Sequence, residues 1–261
     1  MRLVAAFVRR DLADDLAHRL TFVIELIDGL VLLAAVFLLS RGLTGLHASG
    51  YPPFTFLFVG LAVNTALMVC LGCFAVSIRG ARAAGILKAM LVMPVPLEKQ
   101  VMASAVYPIL RGLFDAGLHL TAALGLGLTL ASANVAGAVL VLALGLGAAS
   151  ALGILSAAFA IVFRRGDPLL WLIGVIGLVF GGVFYPVDQL PTLAAAAGWV
   201  TPVAPTLAAM RPLLLDGASL ADVSTSVAAL AVYAGAGLPL SLTIFNLAVR
   251  RARQQGTIRD T

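Results

Sequence analysis

RGARAAGILKAMLVMPVPLEKQ, residues 79–100, separates two apolar runs, 54–78 and 102–130. Each run is long enough to cross a bilayer core, which takes roughly 20 helical residues. The stretch between them carries Arg79, Arg82, Lys88 and Lys99 and is one of four basic clusters in the chain. The others are Arg2 to Arg19, Arg164 with Arg165, and Arg250 to Arg259. Of the 17 Lys and Arg residues, only Arg41, Arg111 and Arg211 fall outside them. Cytoplasmic loops retain Lys and Arg, whereas translocated loops are poor in them. The pattern therefore predicts an all-α integral membrane protein with both termini on the cytoplasmic side.

Composition agrees. The chain is 261 residues long, 61% hydrophobic and 11% charged, with a mean hydropathy of +1.07. Soluble domains carry about 25% charged residues. The net charge of +5 is read as a topology signal, with anionic lipid of the inner leaflet as the contact. Basic patches interleaved with aromatic residues are absent, so nucleic acid is not an expected partner. The first twenty residues mix Asp11, Asp14 and Asp15 with arginines and contain no apolar core of a cleavable signal, so the first span is expected to stay as an anchor.

Residues 1–20 read as an amphipathic interfacial helix. Val4, Val8, Leu12, Leu16 and Leu20 recur every fourth residue, with charges between them. Such a stripe can lie in the headgroup boundary. Six spans follow, at 21–40, 54–78, 102–130, 135–163, 168–184 and 223–249. Asp167 and Pro168 form a helix start, and Ser219-x-x-Asp222 is a capping box before the sixth span. Residues 185–222 hold five prolines separated by apolar stretches, which fits a re-entrant outer segment better than a solvated loop.

Charged groups inside spans are costly and usually face a bundle interior or cavity. Glu25 and Asp28 share a helix face in the first span, where hydration, pairing with Arg19 or a transport role are all open. Arg111 and Asp115 are one turn apart in the third span and can pair along the helix, structurally or along a pathway. Asn64 reads as interhelical glue, and the small residues Gly145, Ala149, Gly153, Gly177 and Gly181 as close helix packing. Cys70 and Cys73 sit in an apolar run and read as small helix residues. His18, His47 and His119 have no metal-ligand spacing. The chain has no phosphate-binding loop, so it is expected to have no ATPase site and to bind no cofactor of its own.

The opening stretch is the most unusual. It is long for a linker, and Ile86, Leu87, Met90 and Leu91 form an apolar face that Pro94 and Pro96 end abruptly. That face must be buried against lipid, against the chain's own spans, or against a cytoplasmic partner.

With these features the chain resembles the membrane subunit of an ABC-2 type exporter. GILKAMLVMPV, residues 85–95, is similar to the coupling-helix pattern of that family, with Lys88 where the family often carries Glu. GGVFYPVDQLP, residues 181–191, followed by Pro202 and Arg211, is similar to its outer proline-rich series. The resemblance implies two permease subunits, identical or paralogous, and two cytoplasmic ATPase subunits that hold the ATP. It implies coupling to the ATPase through Gly85, Ile86, Leu87, Lys88, Met90, Leu91 and Pro94. It also implies export of an amphiphilic or glycan-type molecule across the plasma (inner) membrane. Glu25, Asp28, Arg111, Asp115, Tyr185 and Asp188 are the candidates for lining the path; Trp199 reads better as an interfacial anchor. The residues alone also leave open an ion- or proton-coupled carrier working through Glu25, Asp28, Arg111 and Asp115, or a lipid-modifying enzyme. No inverted repeat supports the carrier, and too few polar residues converge for the enzyme.

Overall fold

The computed structural model describes residues 2–42, 50–130, 132–162 and 168–254, with the side chains of residues 2, 19, 21, 22, 25, 88 and 253 left out. His47, the pair Arg164–Arg165 and the helix start expected at Asp167 therefore lie outside the described residues. Among those described the fold is helical, without strands. Its helices are α1 (Arg2–Ala17), α2 (Arg19–Gly42), α3 (Pro53–Ala83), α4 (Leu87–Val92), α5 (Leu97–Gly125) and α6 (Val135–Val162). They continue with α7 (Pro168–Phe180), α8 (Thr192–Val200), α9 (Val203–Arg211) and α10 (Ser224–Gln254). Helices satisfy every backbone polar group internally, which apolar surroundings require.

Four of them, α3, α5, α6 and α10, are long and apolar enough to cross a bilayer. A fifth is reached if α8 and the stretch from α9 to Asp216 count as one span, although the two halves meet at 97°. The expected first span falls on α2. The expected fifth falls on α7, whose 13 residues make about 20 Å of helix, short of the roughly 30 Å of hydrocarbon.

Several boundaries differ from the sequence reading, three of them, at the end of α3 and at both ends of α5, for clear physical reasons. Helix α3 continues through Arg79 and Arg82 because nothing stops it before Gly85, which sits at φ 69°. Helix α5 starts at Leu97, directly after Pro96, and ends in a paired-bond cap. The Leu128 N–H reaches the Ala123 carbonyl and the Gly127 N–H the Leu124 carbonyl, with Gly127 at φ 100°. This is the left-handed C-terminal cap that glycine favours. The linker between α3 and α5 is thus 84–96 rather than 79–100.

Helix α3 is the centre of the bundle, packed on α2, α5, α6, α7 and α9, and α6 is sandwiched between α3 and α10. Glycines set these approaches. A Cβ on Gly153 would lie 2.6 Å from the Leu71 carbonyl oxygen, and one on Gly145 2.7 Å from Thr206 Oγ1. Gly177 and Gly181 likewise admit Val203. Buried side chains form two clusters stacked along the bundle. One, around Leu67, Leu207 and Leu213, lies toward the start of α3. The other joins Ile78, Leu87, Leu97, Ile161 and Val249, so the ends of α3, α6 and α10 and the start of α5 meet at one pole. The basic stretches 79–99 and 250–253 lie at this pole, and α6 ends there. Cys70 and Cys73 are free and buried in α3, where the Cys70 thiol donates to the Leu146 carbonyl at 3.3 Å.

Candidate functional site

At the basic pole the chain turns back through α4, and three devices fix that turn. The Ile86 N–H bonds to the Ala81 carbonyl and the Gly85 N–H to the Arg82 carbonyl, both at 3.0 Å, which closes the end of α3. The Arg82 guanidinium donates to the Ile161 carbonyl at 2.9 Å, placing a cation at the C-terminal end of α6, where the helix dipole favours one. The buried Gln100 amide donates to the carbonyls of Met90 at 2.9 Å and Val95 at 2.8 Å. Without Gln100 these carbonyls would have no partner from the first turn of α5.

The apolar face expected on this segment is divided by the fold. Leu87 and Met90, 6% and 8% exposed, pack into the chain's own core. Leu91 is partly buried against the same cluster. Ile86 and Met93 are about half exposed and Val92 is 86% exposed. Gly85 and Pro94 are at the surface, and the Lys88 side chain lies outside the described set. The tip of the hairpin therefore presents Ile86, Val92 and Met93, while Leu87 and Met90 anchor it.

A second constellation joins α1 to α5. Arg111 pairs with Asp115 one turn on, its Nε 3.2 Å from Oδ2, as the spacing predicted. The structure adds Asp15 of α1, which accepts from Arg111 and, at 2.6 Å, from the Tyr107 hydroxyl. Among the described residues, two carboxylates and a phenol thus meet this guanidinium. Tyr107 and Asp15 escaped the sequence reading because 92 residues separate them and Asp15 looked like one more charge on a surface helix. One turn beyond Asp115, His119 places Nδ1 on the Asp115 carbonyl oxygen, and its Nε2 is buried without a partner among the described residues. Helix α2 meets it at Gly29, where a Cβ would fall 2.1 Å from Nε2. Asp28 beside it is exposed, and the Glu25 side chain lies outside the described set.

The opposite pole is organised by Arg211. This residue is 7% exposed and lies 3.5 Å from the centre of the Phe56 ring. It donates to the Phe56 and Val183 carbonyls at 3.3 Å. Gly60 makes room for it, since a Cβ there would come within 2.4 Å of the Val183 carbonyl oxygen. Nearby the Tyr51 hydroxyl donates to Asp216. Burial, then the Asp216 carboxylate, pushes that phenol up to about 12. The Tyr185 hydroxyl donates to the Val179 carbonyl, so it closes the end of α7. Asp188 is exposed in the short turn Val187–Gln189, and the Trp199 carbonyl receives the Tyr233 hydroxyl. Ser219 and Asp222 do bond, at 2.8 Å, but they close a turn just before α10 rather than capping its first residue. Those bonds hold the Asp222 carboxyl below its ordinary range.

No group of three or more His, Cys, Asp or Glu residues that could hold a metal occurs among the described residues. Val139, Trp171, Val232, Leu240 and Leu247 are exposed on the outer faces of α6, α7 and α10. An apolar exterior around buried glycine contacts, with charge concentrated at one pole, defines a multi-pass integral membrane protein. The family model of the ABC-2 type transporter matches residues 6–215, and the chain belongs to that family as a membrane permease of ABC-type transport. Among curated proteins no sequence matches.

Proposed function

We propose that this chain is one of two permease subunits of an ATP-driven exporter. A separate ATPase, in two copies, binds the ATP and docks on the hairpin between α3 and α5. The chain spans the plasma (inner) membrane six times, with the basic pole and both termini in the cytoplasm. The 97° break between α8 and α9 is then a re-entrant outer segment, and the Val4–Leu20 stripe lies against lipid. The cargo is an amphiphilic or glycan-type molecule taken from the cytoplasm or inner leaflet, with Arg111, Asp115, Tyr185 and Asp188 beside its route.

The observation that carries this reading is the tip of the hairpin. Ile86, Val92 and Met93 are apolar and exposed, at the charged pole where lipid tails would not cover them. Gln100 and the α3 cap tie them rigidly to two long helices. An apolar, fixed surface at that place suits a protein partner. Leu87 and Met90 act from beneath, by holding the tip in shape.

The test is to purify the tagged chain from its own cells and identify what accompanies it. Wild-type chain is expected to bring down an ATPase with a phosphate-binding loop. Val92→Asp and Ile86→Asp are expected to lose it while melting at the wild-type temperature. In the reconstituted complex they should uncouple ATP hydrolysis from export. Full retention of the ATPase and of export by both variants would sink the docking role.

A further inference from the structure

Helices α5 and α6 both pack on α3 but, among the described residues, not on each other. A crevice of about 300 Å³ lies between them. Val63 of α3 and Met210 of α9 belong to its floor, Gly117 of α5 and Ala138 of α6 to its two walls, and Leu128 closes it at the pole opposite the hairpin. We propose that one acyl chain of a bilayer phospholipid occupies this crevice and fills the gap between α5 and α6.

The chemistry of the walls comes first. None of the lining residues carries a charge, a hydroxyl or an amide. A head group would find no side-chain partner there, and burying an unpaired polar group is costly. Whatever is seated in the crevice is therefore hydrocarbon. Its opening points the same way. Val135 and Val139 line the crevice and are 64% and 62% exposed, so it opens onto the apolar exterior of α6 that faces lipid. From that rim it leads inward to Val63, Ala138 and Met210, which are buried. The third observation is unused room. Elsewhere in the bundle glycine admits a neighbour, as Gly153 admits the Leu71 carbonyl, but a Cβ on Gly117 would meet nothing within 4 Å. Hydrocarbon chains are the solvent of a membrane helix, so no hydrophobic gain draws one into the crevice. Dispersion favours the entry instead, because an empty crevice leaves its wall atoms without partners and a chain supplies them.

The experiment places the full chain in phosphatidylcholine vesicles doped with a phosphatidylcholine that carries a diazirine midway along one acyl chain. After illumination, mass spectrometry locates the residues that bear lipid. Val232 and Leu247 are exposed on α10 and are expected to be labelled as ordinary lipid contacts. Val63, Ala138 and Met210 are expected to be labelled as well, although they are buried. Gly117→Leu puts a side chain into the crevice where no atom opposes it. It should abolish the label at those three positions and leave the label at Val232 and Leu247, with a melting temperature no lower than that of the wild type. Label confined to outward residues in the wild-type chain overturns the proposal; it is the result expected if a second copy of the chain fills the crevice. Label at Val63 and Met210 that persists in Gly117→Leu overturns it too. Neither result bears on the docking of the ATPase, and loss of the docking reading leaves the labelling result untouched.

Discussion

The two poles of the bundle both contain a chain reversal next to α3, and a guanidinium bonds to backbone carbonyls at each, half-buried at one and buried at the other. At the basic pole the hairpin through α4 is held by the Gln100 amide, by backbone bonds at the end of α3, and by the Arg82 guanidinium on the Ile161 carbonyl. At the other pole a buried cation, Arg211 at the end of α9, is stacked on Phe56 and bonded to the carbonyls of Phe56 and Val183. An amide staple orients a hairpin while leaving its tip free. A buried guanidinium ties three segments at once, the end of α9, the start of α3 and the stretch after α7. The difference leaves Ile86, Val92 and Met93 exposed at one pole and buries Arg211 at the other.

The largest break in this comparison should come from Arg211. Arg211→Leu removes the stack and both hydrogen bonds and is expected to cost on the order of 3 kcal/mol, a value typical of lost buried networks. Thermal unfolding in detergent reads it, and a shift no larger than that of a surface substitution would remove Arg211 from its place. Gly60→Ala should cost about 1–3 kcal/mol by overpacking, because the new methyl collides with the carbonyl that Arg211 binds. Gln100→Leu forfeits two hydrogen bonds at about 1 kcal/mol each. Its effect should be local, with hydrogen exchange accelerated across residues 86–95 and unchanged around Tyr51 and Asp216. Spread of that acceleration to the other pole would erase the contrast.

Tyr51→Phe is the mildest test and should cost less than about 1 kcal/mol. Folding raises the Tyr51 phenol from 10.0 to about 12. Its contribution is therefore intact below pH 10 and fades as the pH climbs through 12. An ultraviolet titration of the folded chain should show a late tyrosine ionisation that the variant lacks.

Much of this arrangement was legible. The helices follow from long apolar runs, and the basic clusters anticipated that distant segments would gather at one pole. Where the reading stopped at Ile78, α3 continued, because Arg79 and Arg82 tolerate a helix and only Gly85 ends it. The Arg111–Asp115 pair was visible because it is local. Asp15 was not, since its partner lies far along the chain and its own surroundings look like a surface helix. Arg211 left a trace, as one of three cations outside the clusters and set in an apolar segment, but nothing local reveals which carbonyls receive it. Leu87 and Met90 belonged to the expected apolar face, yet only tertiary packing decides that they point inward while Val92 points out.

The long helix between the two poles is also a mechanical part. Helix α5 contains Pro108 and α10 contains Pro239, each removing a helix hydrogen bond, whereas the only proline of α3 is its first residue. Its 31 residues form a rod of about 46 Å. The hairpin is clamped to one end of this rod, and Phe56, beneath the guanidinium, is part of the other. In the proposed complex, a load applied at the tip of α4 would reach the far pole along this helix without meeting a proline on the way.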